Sequence, residues 1–446
     1  MARKFWAWLL PLLLARAWWA EAQVALPAVR LPSVQGTVSG LQSGVDRTLP
    51  GVSDELDPRR LEDLRRLHVL DLIRSHPRQI EADPKGAPIL RGEVVALAPT
   101  DAVLERARSA GFLVARERVL EGLDTRIVVL EAPDGMSTRR ALKQLKGLDP
   151  DGAYDFNHLY TDSGEDGVAP TAGAEGAPAA DVAVRAAGAS PGVAIGLIDS
   201  GVDTTHAVFH DILIHQHGCS GTPVPAQHGT EVASLLVGRS QQFHGAAPGS
   251  ELYAADVYCG LPTGGAVDAV VEAMSWLVHE HVSVINVSLV GPPNVMLESV
   301  VRMVVARGHL IVAAVGNDGP AAPPLYPASY PDVVGVTAVD SRQRVLLEAC
   351  RGRQVKFSAP GADMSAANPT QSYAVVRGTS FAAPIVAGLL AEALPAPDKV
   401  AAERAVSALA ARAIDLGAPG PDPVYGFGLV GGDLHPELAL AGSRSR

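Results

Sequence analysis

The chain has 446 residues, of which 47% are apolar and 19% are charged, so it can bury a sizeable core and is not disordered as a whole. Its 37 Lys and Arg residues against 48 Asp and Glu residues give a net charge of −11, which argues against a protein that binds nucleic acid by neutralising phosphates. At about 150 residues per domain, the length predicts roughly three structural units.

The N-terminus has the pattern of a secretory signal. A short basic start and an apolar run over 5–14 precede small-residue sites at 15–17 and 20–22, as signal-peptidase cleavage requires. We therefore assign 1–22 as a signal peptide and expect a secreted or periplasmic protein. An uncleaved anchor is the alternative, although Arg16 interrupts the apolar stretch short of a membrane span.

Residues 23–90 form a leader that contains one predicted amphipathic helix. Up to about residue 56 the leader mixes Pro, Gly, Val and Leu without a sustained period, which is typical of an extended segment. Leucines spaced by three then predict a helix over 57–75, and His76-Pro77 ends it.

Residues 91–160 change hydrophobic period in an orderly way. Thr100 is a predicted helix N-cap, and Gly111 and Gly147 are predicted to end the two helices. The order βαββαβ predicts a ferredoxin-like α+β domain, an antiparallel sheet with two helices on one face. Such a fold by itself indicates no function. The predicted strands are 93–97, 112–119, 126–131 and 153–160, and the predicted helices are 100–110 and 137–146.

Residues 161–190 have the composition of a linker. They contain 10 Ala, 5 Gly and 2 Pro, so 17 of 30 positions are small or helix-breaking, and no aromatic residue is present. The segment is predicted to be exposed and easily cut. As an alternative for part of it, 179–187 could form a helix of the next domain.

The remaining residues, 191–446, alternate apolar strands with helices. The strands are short, rich in β-branched residues and apolar on both faces, as buried parallel strands are. This predicts an α/β domain with a mostly parallel sheet flanked by helices, whose ligands bind beyond the carboxyl ends of the strands. The predicted strands are 193–198, 252–257, 282–287, 310–315 and 333–339; helices are predicted over 228–238, 266–280 and 294–307 and from about 380.

Four polar residues lie where these predicted elements begin or end. Asp199 closes a strand, His228 and Ser380 each open a helix, and Asn317 follows a strand. A serine hydroxyl is a weak nucleophile, so acyl transfer needs an imidazole to accept its proton and a carboxylate to fix the tautomer of the imidazole. An amide such as that of Asn317 can stabilise the negative charge that develops on a substrate carbonyl. Taken singly, each of the four has a more ordinary interpretation as a strand-end acid, a helix cap or a turn residue.

The segments IDSGVD, HGTEVA and GTSFAAPIVAG, in this order and with GN between the second and third, resemble the motifs of subtilisin-like serine proteases over about 191–435. The resemblance implies that Asp199 orients the base, His228 is the general base and acid, Ser380 is the nucleophile and Asn317 is the oxyanion donor. It also implies a secreted serine endopeptidase that forms an acyl-enzyme and is made as a zymogen with a ferredoxin-like, inhibitory propeptide. A catalytically silent or self-inhibited binding protein of the same fold is the alternative.

The resemblance further implies a substrate groove. Glu231 stands where the family usually has a second histidine, and Val290 replaces a usual glycine on the strand that pairs with substrate, so the groove departs from the common pattern. Leu325 stands where a glycine is frequent and is expected to narrow the pocket for the side chain before the scissile bond. The alternative is that Leu325 turns into the core and the pocket stays open. The implied substrate-binding residues are Ser288, Leu289, Val290, Gly291, Ala314, Val315, Gly316 and Leu325.

The three cysteines form no CxxC or zinc pattern. A pair of Cys219 with Cys259 and a free Cys350 is the preferred arrangement, because the first two lie at loop-like positions; three unpaired thiols are the alternative. His206, His210, His215 and His217 crowd one predicted loop, where solvated histidines are favoured over a metal site because no carboxylate or thiol pattern fixes a geometry.

We expect no metal and no cofactor. The calcium-binding loop common in the resembled family is expected to be missing, since only residues 239–244 separate Gly238 from Gly245 and they include no Asp or Asn. The expected partners are polypeptide substrates and the chain's own propeptide, with no nucleic acid, and the expected assembly is a monomer.

Overall fold

The computed structural model describes residues 58–162, 164–165, 193–240 and 243–434, which belong to one compact unit. The predicted signal peptide, the first part of the leader, most of the linker and the alternative helix over 179–187 lie outside the described residues. Among the helices of the described part, none combines the length and apolar character needed to cross a membrane.

The N-terminal domain, residues 58–162, has the predicted βαββαβ order. Its four main strands pair antiparallel in the order β5-β2-β4-β3, which confirms the ferredoxin-like arrangement. Sequence reasoning missed the short strand β1. The elements are α1 (Pro58–Ser75), β1 (Ile80–Ala82), β2 (Pro88–Leu97), α2 (Asp101–Ser109), β3 (Leu113–Leu120), β4 (Thr125–Glu131), α3 (Thr138–Leu148) and β5 (Ala153–Asp162).

Helix capping in this domain follows the sequence closely. The Thr100 hydroxyl accepts a hydrogen bond from the backbone N–H of Val103, as predicted for an N-cap. The prediction that Gly147 ends α3 is wrong, because the helix continues to Leu148. Leu148 packs against the apolar cluster between the helices and the sheet, and this contact outweighs the low helix propensity of one glycine.

The C-terminal domain, residues 193–434, is built on a seven-stranded parallel sheet in the order β15-β14-β13-β11-β7-β9-β8. Helices α4 and α7 pack on one face, and α5 and α6 on the other. The strands are β7 (Ala194–Asp199), β8 (Ile214–Gly218), β9 (Glu251–Asp256), β10 (Gly265–Ala266), β11 (Val284–Val287), β12 (Leu289–Val290), β13 (Leu310–Ala314), β14 (Val334–Val339), β15 (Val355–Pro360), β16 (Ala362–Asn368) and β17 (Ser372–Gly378). The helices are α4 (Gln227–Val237), α5 (Val267–His279), α6 (Val295–Ala306), α7 (Thr379–Ala393) and α8 (Lys399–Ala410), and the two-residue strand β6 (Gly164–Glu165) precedes this domain.

The prediction that His206, His210, His215 and His217 share one loop is partly wrong, because His215 and His217 lie on the edge strand β8. The His215 imidazole contacts Glu251 at 2.6 Å and stacks on Tyr253, with ring centroids 4.4 Å apart. His217 makes the same pair of contacts with a glutamate and a tryptophan of α5, at 2.6 Å and 4.6 Å. Each of the two imidazoles therefore contacts its own carboxylate and stacks on its own aromatic ring.

The preferred cysteine pairing is confirmed, since Cys219 and Cys259 form a disulfide and Cys350 is a buried free thiol. Within the described ranges, Cys219, Asp256 and Cys259 form the group of side chains spaced closely enough for a metal ion. Because two of these three residues are joined to each other, the group is explained by the disulfide.

The two domains meet through a partly buried polar network. Asp268, in the first turn of α5 and 2% exposed, accepts hydrogen bonds from Arg116 at 3.0 Å and from Asn157 at 3.0 Å. Both donors also bind Glu93. This carboxylate bonding raises the pKa of Arg116, against the effect of its burial.

The N-terminal domain also completes the first turn of α6. The side-chain oxygen of Asn294 caps this helix, and its amide group donates to Phe156 O at 3.0 Å and contacts His158 Nδ1 at 2.8 Å. Asp155 accepts a hydrogen bond from the backbone N–H of Val295 at 2.9 Å. A carboxylate is favourable at this end of a helix, where N–H groups have no intrahelical partner.

Gly122 lies where the N-terminal domain contacts the C-terminal one, in the short turn that packs on α5. A Cβ atom at this position would lie 2.2 Å from the Ser275 carbonyl oxygen and 2.6 Å from the His279 nitrogen. Only glycine therefore permits this packing.

We expect Gly122→Ala to destabilise the uncleaved chain by about 1–3 kcal/mol, the usual cost of overpacking. The measurement is thermal unfolding of the full chain in a Ser380→Ala background, which keeps the sample uncut if Ser380 is the nucleophile. Gly147→Ala is the matched control, because no atom lies within 4 Å of its Cβ position, and helical Gly→Ala changes stabilise by about 0.5–1 kcal/mol. Equal melting temperatures for Gly122→Ala and its parent would contradict the described packing.

Candidate active site

A buried ion pair lies at the carboxyl end of the central strand β7. Asp199 is 0% exposed, and its Oδ1 lies 2.8 Å from His228 Nδ1. The same oxygen accepts a hydrogen bond from the Ser200 N–H at 2.7 Å. His228 is held in the first turn of α4, where Gly229 N donates to the Ser200 hydroxyl at 2.9 Å. Burial lowers the pKa of His228, but the carboxylates of Asp199, Asp162 and Glu231 together raise it by more, and Asp199 contributes most of that rise.

Ser380 is the second residue of α7, whose first turn lies against this pair. Its hydroxyl donates to the Ser288 carbonyl at 3.2 Å, and the Ser288 hydroxyl donates to the Ser380 carbonyl at 2.9 Å. The Phe381 ring lies against the His228 ring with centroids 5.5 Å apart, which brings the start of α7 to the imidazole. Among the described residues, His228 Nε2 has no hydrogen-bond partner.

Asn317 follows β13 and is tied to the start of the same helix. Its Oδ1 accepts a hydrogen bond from the Thr379 N–H at 3.2 Å, and Gly316 N donates to the Thr379 hydroxyl at 3.2 Å. Because the side-chain oxygen is used in this bond, the Nδ2 group of Asn317 is left to donate elsewhere. The structure thus brings the ends of β7, β11 and β13 to the N-termini of α4 and α7.

The chain itself continues from the N-terminal domain into this region. Strand β5, predicted to end at residue 160, extends to Asp162, where Tyr160 pairs with Gly265 and Asp162 with Leu289. After residue 163, strand β6 pairs with the end of β17, with Gly164 opposite Gly378. Residues on both sides of 163 are therefore held as extended backbone beside the start of α7.

Tyr160 occupies a pocket of its own. The side chain is 0% exposed, and its hydroxyl donates to the Pro292 carbonyl at 2.7 Å. A Cβ atom on Gly291 would lie 2.5 Å from Cδ1 of the Tyr160 ring, so a glycine is required for the ring to enter. Gly291 also pairs with Tyr326, which joins this pocket to the segment that carries Leu325.

The remaining predicted groove residues lie close by. Ala314 and Val315 are buried, and Leu325 is 7% exposed. The Leu325 side chain packs directly on Gly316, since a Cβ atom on that glycine would lie 2.4 Å from Leu325 Cδ1. Val290, despite replacing a glycine, still pairs with Thr161.

Sequence reasoning missed two sets of contacts. Gly265 and Ala266, which pair with β5, are signalled only by a pair of glycines before a predicted helix. Arg65 of α1 forms an ion pair with Asp318 at 3.0 Å, directly after Asn317, and nothing in the sequence indicates this contact across 253 positions.

The chain is similar to known proteins over its C-terminal half. The model of the Subtilase family matches residues 190–428. Subtilisin BL of Lederbergia lenta is 33% identical over 209 residues, which cover 45% of this chain and 75% of that protein. The minor extracellular protease Epr of Bacillus subtilis (strain 168) is 30% identical over 252 residues, which cover 53% of this chain but only 37% of Epr.

A solved structure agrees at the level of fold. Fervidolysin from Fervidobacterium pennivorans, a keratinolytic enzyme related to subtilisin, superimposes with a TM-score of 0.63 at 20% identity, over 78% of this chain and 61% of that one. The family match spans more than half of the chain, and its ends enclose Asp199, His228, Asn317 and Ser380. The chain belongs to the subtilase family.

Proposed function

We propose that the chain is the precursor of a secreted serine endopeptidase, in which residues up to 163 form an inhibitory prosegment. The observation that carries the proposal is the path of the chain through the candidate site. Strands β5 and β6 pair with β12 and β17 on either side of residue 163, next to the first turn of the helix that carries Ser380. This is the position that an extended peptide substrate would take.

Peptide hydrolysis would begin with rotation of the Ser380 hydroxyl from the Ser288 carbonyl to His228 Nε2. The imidazole accepts the hydroxyl proton as Oγ attacks the substrate carbonyl carbon. Asp199 keeps the hydrogen on Nδ1 and stabilises the imidazolium that forms. The imidazolium then donates its proton to the leaving amine, and water hydrolyses the acyl-enzyme through the same groups.

The oxyanion of the tetrahedral intermediate would be stabilised from two directions. The Nδ2 group of Asn317 supplies one donor, and its amide is held in orientation by the Thr379 N–H. The N-terminus of α7 supplies backbone N–H groups and a partial positive charge at Ser380.

The same geometry suggests the first cleavage site and a preference. The bond between residues 163 and 164 lies between the segments paired with β12 and β17, so we assign it as the self-cleavage site. Tyr160, the fourth residue before this bond, then marks an aromatic-binding pocket over Gly291. Export is supported by the signal-like N-terminus and by the extracellular relative Epr.

Replacement of Ser380 by Ala is expected to abolish self-cleavage and labelling by a fluorophosphonate, because both need the Oγ nucleophile. The secreted protein is examined by intact mass and N-terminal sequencing, and the wild type should yield Gly164 as its new N-terminus. Normal processing of purified Ser380→Ala would show that maturation is not autocatalytic. Absence of labelling in the correctly folded wild type would favour the silent-scaffold alternative.

The pH dependence of self-cleavage should respond to Asp162. Neutral His228 is the active base, so the rate falls as the pH drops through its pKa, and the Asp162 carboxylate raises that pKa while it occupies the site. The acid limb of the pH–rate profile is the range in which the cleavage rate falls as the pH decreases. Asp162→Asn is therefore expected to move this acid limb to lower pH. Asp155→Asn, on the same strand but bonded to α6, is the control and should leave the limb in place. Superimposable profiles for Asp162→Asn and the wild type would contradict the assignment.

Leu325 should limit the size of the residue before the scissile bond. Forcing a Phe or Tyr ring past its side chain would cost about 1–3 kcal/mol, or roughly 10- to 100-fold in kcat/KM. The mature enzyme is expected to prefer small or medium apolar residues, and Leu325→Gly should gain cleavage after aromatic residues. A peptide-library profile of the wild type dominated by Phe or Tyr would refute this role.

A further inference from the structure

The C-terminal domain holds strand β10, which pairs with β5, through groups that the catalytic steps do not use. Asp256 is the last residue of β9 and is 2% exposed. Its Oδ1 accepts hydrogen bonds from the N–H groups of Tyr258 and Cys259, at 2.9 Å and 2.8 Å. These bonds fix the first turn of the segment that leads to β10.

The second oxygen of Asp256 reaches a different loop. Oδ2 accepts a hydrogen bond from Val224 N at 2.8 Å, four residues before His228 in the chain. The next residue, Pro225, forms a bridge with Gly201, which follows the Asp199 strand. One buried carboxylate thus binds both the β10 segment and the approach to α4, through charge-assisted hydrogen bonds that are stronger than neutral ones.

The disulfide links the end of the edge strand β8 to the segment that leads to β10. It joins Cys219, directly after β8, to Cys259 in the turn that Asp256 fixes. Both cysteines and Ser220 have left-handed backbone conformations, with φ between 51° and 55°. Such conformations cost energy in non-glycine residues and persist where the surrounding contacts over-determine them.

We propose that the Cys219–Cys259 disulfide and the Asp256 carboxylate form one positioning unit, which holds β10 in register for pairing with an extended substrate. The inference rests on the proposed function. In the uncut chain, β10 pairs with Leu159 and Tyr160, the fifth and fourth residues before the assigned cleavage bond. Because β10 pairs with the fifth and fourth residues before the scissile bond, only long substrates reach it. Loss of the unit should therefore lower the cleavage rate of long substrates more than that of short ones.

The test compares two substrates of the mature enzyme. One is a peptide with six residues before the scissile bond, and the other is an ester of the single residue that precedes this bond. The variants are Asp256→Asn and the double variant Cys219→Ser/Cys259→Ser, so that a folding failure of the second leaves the first informative. For both we expect kcat/KM on the peptide, relative to the ester, to fall about 10-fold through KM.

Asp422→Asn is the matched control. The Asp422 carboxylate also accepts three backbone N–H bonds, from Ala418, Val424 and Tyr425, but it lies in a C-terminal turn that, within the described residues, pairs with none of β10, β12 and β17. This variant should leave the peptide-to-ester ratio unchanged. An equal loss on peptide and ester in Asp256→Asn, or no change in the ratio, would overturn the positioning role. A wild-type enzyme that hydrolyses neither substrate would instead overturn the proposed function.

Discussion

The buried charge of Asp199 is the constraint on which the candidate site depends. A carboxylate without solvent contact must be compensated by hydrogen bonds and an opposite charge, and His228 and the Ser200 N–H provide both. The residue stands on β7, which is paired on both sides by β11 and β9, so its position is fixed by the sheet. The neighbouring strand ends then determine where Ser288 and Asn317 lie, and through them where α7 begins.

Much of this arrangement is predictable from the sequence, because it depends on local chemistry. The Asp, His and Ser segments, the Thr100 cap and the apolar parallel strands all carry their signals within a few residues. Strands β8 and β15 were missed because they are edge strands that mix polar or proline residues with apolar ones, IHQHG and VKFSAP. The extension of β5 to Asp162 and the Arg65–Asp318 pair were missed because their partners lie more than 100 positions away.

The contact between the two domains combines features of a core and of a surface. Val95, Leu120 and Ile127 of the N-terminal domain belong to the same apolar cluster as α5 and α6. Beside them lie the charged network at Asp268 and the amide of Asn294, groups that water can solvate if the domains part. In the proposed precursor, the combination of apolar and polar groups makes the contact between the domains specific while the chain is uncut. After the domains separate, the polar groups are hydrated and are not left buried without hydrogen-bond partners.

In the proposed peptidase, the pairing of β5 with β10 and then with β12 limits which proteins can be cut. A segment that takes this place must offer extended backbone, with its own N–H and C=O groups free, to two separate strands over successive residues. Strands inside a folded sheet have already used these groups, and helices have used them internally. The proposed cleft would therefore select proteins by backbone conformation before it selects them by side chain, and loops and unfolded chains are the substrates expected of it.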